Sequence, residues 1–314
     1  MPDVMTLPEY AKGLEKTSIE RPLIESFAAE SDIMQMLPFE GFSGAAFEGY
    51  RETSIGSAGF RAINEGPSTS QGKIAPFQET SFPIDILLKV DKAIIARHGE
   101  GRRGREEAMQ MKAQARLFTN TFLSGDNSSN PKEFNGIKAR CRADNGRLLH
   151  NSLASGGAAL SLYSLDKAIQ NTRRANCIIA GWDLMPRFIQ AARDTAISGF
   201  VIQNWDEVGT PKMTYAGKRI LFGYEKDRHG VILPFNEVAQ GGGAAVTASL
   251  FVANLSAEGL HGIQLKNMEA IDLGLSKEDG VFYKTNVSWD VGLVDEGDYC
   301  VTRLTSISDL PFVK

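Results

Sequence analysis

The chain has 314 residues, 42% hydrophobic and 23% charged, enough apolar material for two domains or one large irregular one and too much for wholesale disorder. Its formal net charge is −4, from 34 basic and 38 acidic residues, and without a basic excess or tail it does not read as a dedicated nucleic-acid binder. Cys141, Cys177 and Cys300 are widely spaced with no CxxC pair, which predicts buried thiols in a reducing compartment. The start, MPDVMTLPEY, lacks the basic and apolar regions of a signal peptide, and no apolar run approaches the ~18 residues that span a bilayer. A soluble protein made in a cytoplasm, with no membrane partner, is expected.

Residues 1–40 are weakly patterned; Glu20 to Phe27 can begin a short helix with Pro22 in its first turn. The stretch from Gly41 to Pro83 is rich in Gly, Ser and Pro and has no core pattern. Within it AFEGYRETS and GKIAPFQETSF read as the strands of a long hairpin with a loose tip between them. A loop this long inside a compact domain is unusual, and the expectation is that it finds partners on another chain. The clearest strand signal follows, Ile84–Ala96, with Ile84, Ile86, Leu88 and Val90 on one face and Asp85, Lys89 and Asp91 alternating with them.

The helix Arg103–Leu123 is the best-defined element. Ala108, Met111, Ala115, Phe118 and Phe122 recur at spacings of three and four, Glu106 and Glu107 suit its first turn, and Gly125 follows as a stop. Arg102, Arg103 and Arg105 crowd its start, where the helix dipole disfavours them, so another demand places them there. Further on, Ser161 or Ser164 and then Asp183 open two helices, with Leu165, Ala168 and Ile169 on the first. The second runs through Phe188 and Ala192 to Ala196 and stops at Gly199. Short strands are expected at Asn176–Ala180, Arg219–Tyr224 and Ser249–Leu255. A closing pair, Val281–Val294 and Tyr299–Ile307, is joined by an acidic turn at Asp295, Glu296 and Asp298. The class is α+β without a regular βαβ series.

No catalytic motif stands out: HExxH, GxxxxGK[ST] and GxSxG are all missing. Gly241–Gly243 lacks the Lys and helix of a phosphate loop. The histidines His98, His150, His229 and His261 are scattered beside turn residues. Asp126 to Asn130 has Ile137 where a calcium loop needs Glu. No cofactor, metal or catalytic residue is assigned, and an enzyme is not expected.

The order of elements resembles the major capsid proteins of tailed bacteriophages, which share the HK97 fold: an arm, an extended hairpin, a strand and a long spine helix, here residues 1–36, 46–83, 84–97 and 103–123. Local passages agree. FLSGDNSSNPKEFNGIKAR, CIIAGWDLMPRFIQAARDTAISG, MTYAGKRILFGYEKD and VSWDVGLVDEGDYCVTRLTSIS each resemble a family segment in order, with Trp289, Gly292 and Arg303 at family positions. In MTYAGKRILFGYEKD, Gly217-Lys-Arg replaces the family's Gly-x-Pro.

The resemblance implies an HK97-like capsid fold in four parts. These are an N-terminal arm and lead-in (1–45), an extended loop or E-loop (46–83), a peripheral domain (84–150 and 268–290) and an axial domain (151–267 and 291–314). It implies a virion capsid protein, assembled in the host cytoplasm, that forms pentamers and hexamers of itself around double-stranded DNA. A separate scaffolding protein and a portal are expected, and a decoration protein is compatible. The arm and hairpin are expected to lie over adjacent subunits, with Arg51, Arg61, Lys73 and Phe77 anchoring the hairpin and Arg102, Arg103 and Arg105 making intersubunit charge contacts. Some members crosslink a hairpin Lys to an Asn of a neighbour. Lys73 is the only Lys in the hairpin and Asn286 lies in a closing strand, but no assisting carboxylate is identified, and a surface or salt-bridge role is the expectation for Lys73. Two rival readings are an encapsulin-like nanocompartment shell and, from another class, an α+β hydrolase or transferase.

Overall fold

In chain order the elements are β1 (Met5–Thr6), α1 (Leu7–Gly13), α2 (Glu20–Ala29), α3 (Asp32–Met36), β2 (Pro38–Gly41), β3 (Phe47–Ser54), β4 (Lys73–Glu79), β5 (Phe82–Asp91), α4 (Lys92–His98), α5 (Gly101–Ser124) and α6 (Ile137–Arg140). There follow β6 (Leu148–His150), α7 (Leu162–Asn171), β7 (Cys177–Ala180), α8 (Met185–Arg193), β8 (Val201–Trp205), β9 (Pro211–Tyr215), β10 (Lys218–Phe222), β11 (Glu237–Val238), β12 (Ala245–Ala253), β13 (Leu260–Leu275), β14 (Phe282–Asp295) and β15 (Val301–Ser308). The computed structural model describes residues 4–14, 20–66, 69–99, 101–194, 201–205, 211–223, 229–277, 279–297 and 299–313.

Two sheets and a free hairpin result. One sheet has the order β1-β2-β13-β14-β5, the second β6-β15-β12-β7-β10-β9-β8 with β11 on β12, and β3 pairs only with β4. The helix α5 lies on the first sheet and buries Met111, Ala115, Phe118 and Phe122. Their centre is Trp289, which meets Phe118 at 5.0 Å, Phe39 at 5.3 Å and Phe27 at 5.4 Å between ring centroids. Such pairs add about 0.5–1.5 kcal/mol each beyond the area they bury. The indole donates to Gln264 Oε1 at 3.2 Å, so its polar edge is satisfied inside the core.

The second sheet is shared between two cores. Ile179, Leu221, Phe251 and Val301 face the first core, while Ile178, Ile220, Val252 and Leu304 face a second built with Leu165, Ala168 and Phe188 from α7 and α8. Strands covered on both faces read as continuous apolar runs, which is why Cys177–Ala180 lacks alternation.

Several expectations need correcting. The strand predicted to reach Ala96 ends at Asp91, whose carboxylate accepts from Ala93 N at 2.7 Å and starts α4. In α5 the face toward the sheet passes through Arg103 and Glu107 before Met111, so Ala108 is exposed rather than part of the stripe. The strand β13 was not anticipated. The closing strands are not a pair, because β14 lies between β13 and β5 while β15 lies between β12 and β6. The turn after Asp295 therefore crosses between sheets; Asp298 lies outside the described residues, as do Ala196, Gly199 and Tyr224.

The largest correction concerns the arm. Leu7, Ala11, Ile24, Phe27, Ile33, Met34, Leu37 and Phe39 are all 2% exposed or less and belong to the core around Trp289. Three short helices place these side chains on one side, and β2 joins the sheet parallel to β13. Residues 4–14 and 20–41 thus pack on their own subunit instead of reaching over another.

Where β2 meets β13, Gly262 leaves room for the Phe39 ring: a Cβ there would lie 2.3 Å from it. The ring cannot yield, since Phe118 and Trp289 enclose it. Gly262→Ala is expected to lower unfolding stability by about 1–3 kcal/mol. It should also expose residues 4–41 to protease before the rest of the chain, measured by urea melts and limited proteolysis.

Candidate intersubunit interface

The hairpin projects from the body with both strands largely uncovered. Its two strands fall within the segments expected from the sequence, and their register runs from Phe47↔Glu79 to Ser54↔Lys73. Beyond it, Ile55, Phe60 and Ile63 are 87%, 111% and 93% exposed, and Tyr50 and Ile74 about two-thirds exposed. Among the described residues nothing packs on these apolar groups, and exposed apolar groups of this kind make the tip a candidate interaction site.

At its root the hairpin is fixed by charge. Arg51 donates through Nη2 to both the carbonyl and the Oδ1 of Asp295, each at 2.6 Å, and through Nε to the carbonyl at 3.1 Å. Its guanidinium lies 4.4 Å above the Phe77 ring, which rests on Gly49, where a Cβ would meet the ring at 2.4 Å. On β4, Glu79 accepts from Arg140 at 2.7 Å.

Asp295 is almost wholly buried and holds two more arginines. Arg140 donates to Oδ1 at 2.7 Å and Arg147 to Oδ2 at 2.5 Å. Arg140 also donates to the Leu293 carbonyl at 2.8 Å and the Asn135 carbonyl at 3.0 Å. The turn between the two arginines is closed by Asn145, whose amide accepts from Arg142 N and Arg147 N and donates to the Arg140 carbonyl. Burial pushes the Asp295 carboxyl upward, but Arg140, Arg51 and Arg147 outweigh it and hold the group below the usual carboxylate range. Beside this cluster burial pushes the Cys141 thiol up to about 12 and Cys300 to about 11, so neither is a thiolate nucleophile at neutral pH.

A second buried titratable group sits at the same root. His261 is fully buried, with Phe47 edge-on at 5.9 Å and Glu40 Oε2 3.5 Å from Nε2, and neither ring nitrogen has a well-formed hydrogen bond. Burial lowers its pKa to about 4. Burial raises Glu40, and burial together with Glu40 and Glu258 raises Glu296. Glu258 and Glu296 line, with Tyr50, Glu52 and Arg173, an open cleft of about 450 Å³ beneath the hairpin.

The residues singled out in the sequence do not form one site. Arg51 and Phe77 meet at the root, but their partner is this chain's Asp295. Arg61 donates to the Glu65 carbonyl at 3.0 Å within the tip, and Lys73 is exposed at the start of β4. Arg103 turns toward the sheet, 2.7 Å from Asp272, 3.1 Å from Glu107 and 2.8 Å from Thr285 Oγ1. Arg102 pairs with Glu106 at 2.7 Å, and Arg105 is exposed. Asn286 lies half-buried in the middle of β14. The sequence pointed to Asp295 only as a turn residue and gave no sign of Arg140, Arg147 or Glu79. Among the described residues no group of His, Cys, Asp and Glu is arranged to hold a metal ion.

Asp295→Asn is expected to cost about 3–5 kcal/mol in urea unfolding, because three arginines lose the charge that compensates their burial. In the unaltered chain this depressed carboxyl contributes stability above about pH 4, lost as pH falls through its folded pKa. His261 works in a different window: its pKa is lowered from 6.5 to about 4, so its contribution is complete above pH 6.5 and declines as pH falls toward 4. His261→Leu should flatten stability between pH 6.5 and 4, read from melts across that range.

Residues 16–166 match the model of the major capsid protein GP7 family. Comparison with individual curated sequences gives no significant match. The fold is similar to that of Microbacterium phage Oxtober96, with TM-score 0.62 and 11% identity over 89% of this chain and 91% of that one. It is similar to Mycobacterium phage Adephagia, with TM-score 0.60 and 12% identity over 96% and 97%. A third likeness is the holo-SrpI encapsulin complex of Synechococcus elongatus PCC 7942, with TM-score 0.60 and 10% identity over 98% and 96%. The architecture over nearly the whole chain is the HK97 fold, and residues 16–166, just under half of the chain, are similar to the major capsid protein GP7 family.

Proposed function

We propose that this capsid shell protein assembles into pentamers and hexamers that close into an icosahedral phage head around double-stranded DNA. The observation that carries the reading is the hairpin, held stiffly at its root while Ile55, Phe60 and Ile63 at its tip have no cover among the described residues. Closed rings bring such a projection onto the next subunit at every step, and the surfaces joined are of obligate size. Arg61 and Lys73 flank the apolar tip and make the charge contacts with the neighbour, while Arg51 and Phe77 set the direction in which the hairpin points. In this reading residues 46–83 are the extended loop, 84–150 and 268–290 the peripheral domain, and 151–267 and 291–314 the axial domain. Assembly takes place in the host cytoplasm on a separate scaffolding protein.

A second reading keeps the shell and changes its contents: a nanocompartment enclosing a protein. The overlap with the encapsulin over 98% of this chain favours keeping it in view. Particles purified after nuclease treatment separate the two, by protected DNA in one case and a co-purifying enzyme in the other.

Deleting residues 56–72 removes the tip and leaves the Arg51–Asp295 contact. The deleted chain should be soluble, melt like the parent and form no particles by negative-stain electron microscopy under conditions where the parent forms uniform shells. Normal shells from the deletion would overturn the hairpin's role.

A further inference from the structure

The arginines at the start of α5 answer two separate demands. Arg103 faces the sheet and is satisfied there by Asp272, Glu107 and Thr285. Away from the sheet, α5 carries an apolar seam that no described residue covers: Met109, Ala113 and Leu117, spaced four residues apart, with Met109 63% and Leu117 52% exposed. A row of cations, Arg105, Lys112 and Arg116, runs beside the seam, roughly a quarter turn round the helix at 3.6 residues per turn. Lys112 reaches Glu30 at 3.2 Å yet keeps 58% of its side chain exposed, and Arg116 donates to the carbonyls of His229 and Gly230. Glu106, on the same surface, pairs with Arg102. Residues 92–116 hold seven lysines and arginines against three acids, in a chain whose net charge is −4. The basic excess is concentrated on this helix and the one before it.

We propose that this face of α5 is a docking site for an acidic amphipathic helix supplied by a separate protein. Anchors at i, i+4 and i+8 flanked by one sign of charge are what a helix lying in a groove reads: its leucines cover the seam and its carboxylates meet the row. A nucleic-acid backbone would use the cations and leave Met109 and Leu117 uncovered, so the seam favours a protein. A second copy of this chain fits less well: its α2, α7 and α8 are ten residues or shorter while the face runs from Arg102 to Leu117, and its α5, though 24 residues long, would bring the same row of cations against it. The site does not depend on the shell reading, since its residues lie away from the hairpin and its root.

The test uses the full chain and two probes: a 20-residue helical peptide with leucines at heptad a and d positions and glutamates beside them, and a 20-base-pair DNA duplex. By fluorescence anisotropy the peptide should bind, weaken with salt, and lose at least tenfold in affinity with Met109→Ser/Leu117→Ser. Arg105→Glu/Lys112→Glu should lose it similarly and gain binding of the same peptide with lysines for glutamates. All four positions are solvent-exposed, and melts confirm that the variants fold. Failure of the peptide to bind, indifference to both double variants, or capture of the duplex through the cations with no role for Met109 and Leu117 would each overturn the proposal.

Discussion

One buried carboxylate determines where the parts of this molecule meet. Asp295 ends the longest stretch of buried residues in β14, and the three arginines on it come from the hairpin, the end of α6 and the turn before β6. Burying an ion costs several kcal/mol, and attraction offsets that only with good geometry and further hydrogen bonds. Here the geometry is multiple: two carboxylate oxygens and a main-chain carbonyl are shared among three planar guanidinium groups, and Glu79 partners Arg140 from another side. A charge with this many fixed donors has few alternative arrangements, so the interaction selects a direction for the hairpin as well as a position. A hydrophobic root of equal strength would leave the angle freer, because apolar contact is non-directional.

The elements legible in the sequence are those that carry their own pattern. Alternation at Ile84–Val90, the stripe from Met111 to Phe122 and the paired strands of the hairpin are local signals, and each yields the expected kind of element, although β5 ends five residues before the expected Ala96 and the stripe leaves out Ala108. What was not legible depends on distant partners. Asp295 looks like a turn residue because Glu296 and Gly297 follow it, and its burial is set by Arg51 and Arg147, 244 and 148 residues away. The strand β13 hid behind its own irregularity: its pairing with β14 shifts register three times and one end of it is exposed. The first forty residues read as an arm because each helix there is too short to be periodic. Their apolar side chains make sense only against Phe118 and Trp289.

Packing the N-terminal segment onto its own subunit divides the work differently from the expected scheme. Those residues complete the larger core, supplying Phe27 and Phe39 to the indole of Trp289, and so belong to the stability of the single chain. The hairpin tip is left with Ile55, Phe60 and Ile63, which no described residue of its own chain covers. The three thiols fit the same division, being buried in the interior and raised well above neutral pH by burial.

The strand β14 is fourteen residues long and is gripped near both ends, at Thr285 by Arg103 and Glu107 of the helix and at Asp295 by Arg51 of the hairpin. At about 3.3 Å per residue the span between those grips is roughly 33 Å. Strands on both sides brace it along that length. It is therefore a lever: a tilt of about 5° imposed where the hairpin is seated moves the far grip by about 3 Å, the diameter of a water molecule. Mechanical load applied at the hairpin reaches the start of the long helix through this beam, without any loop between them having to rearrange.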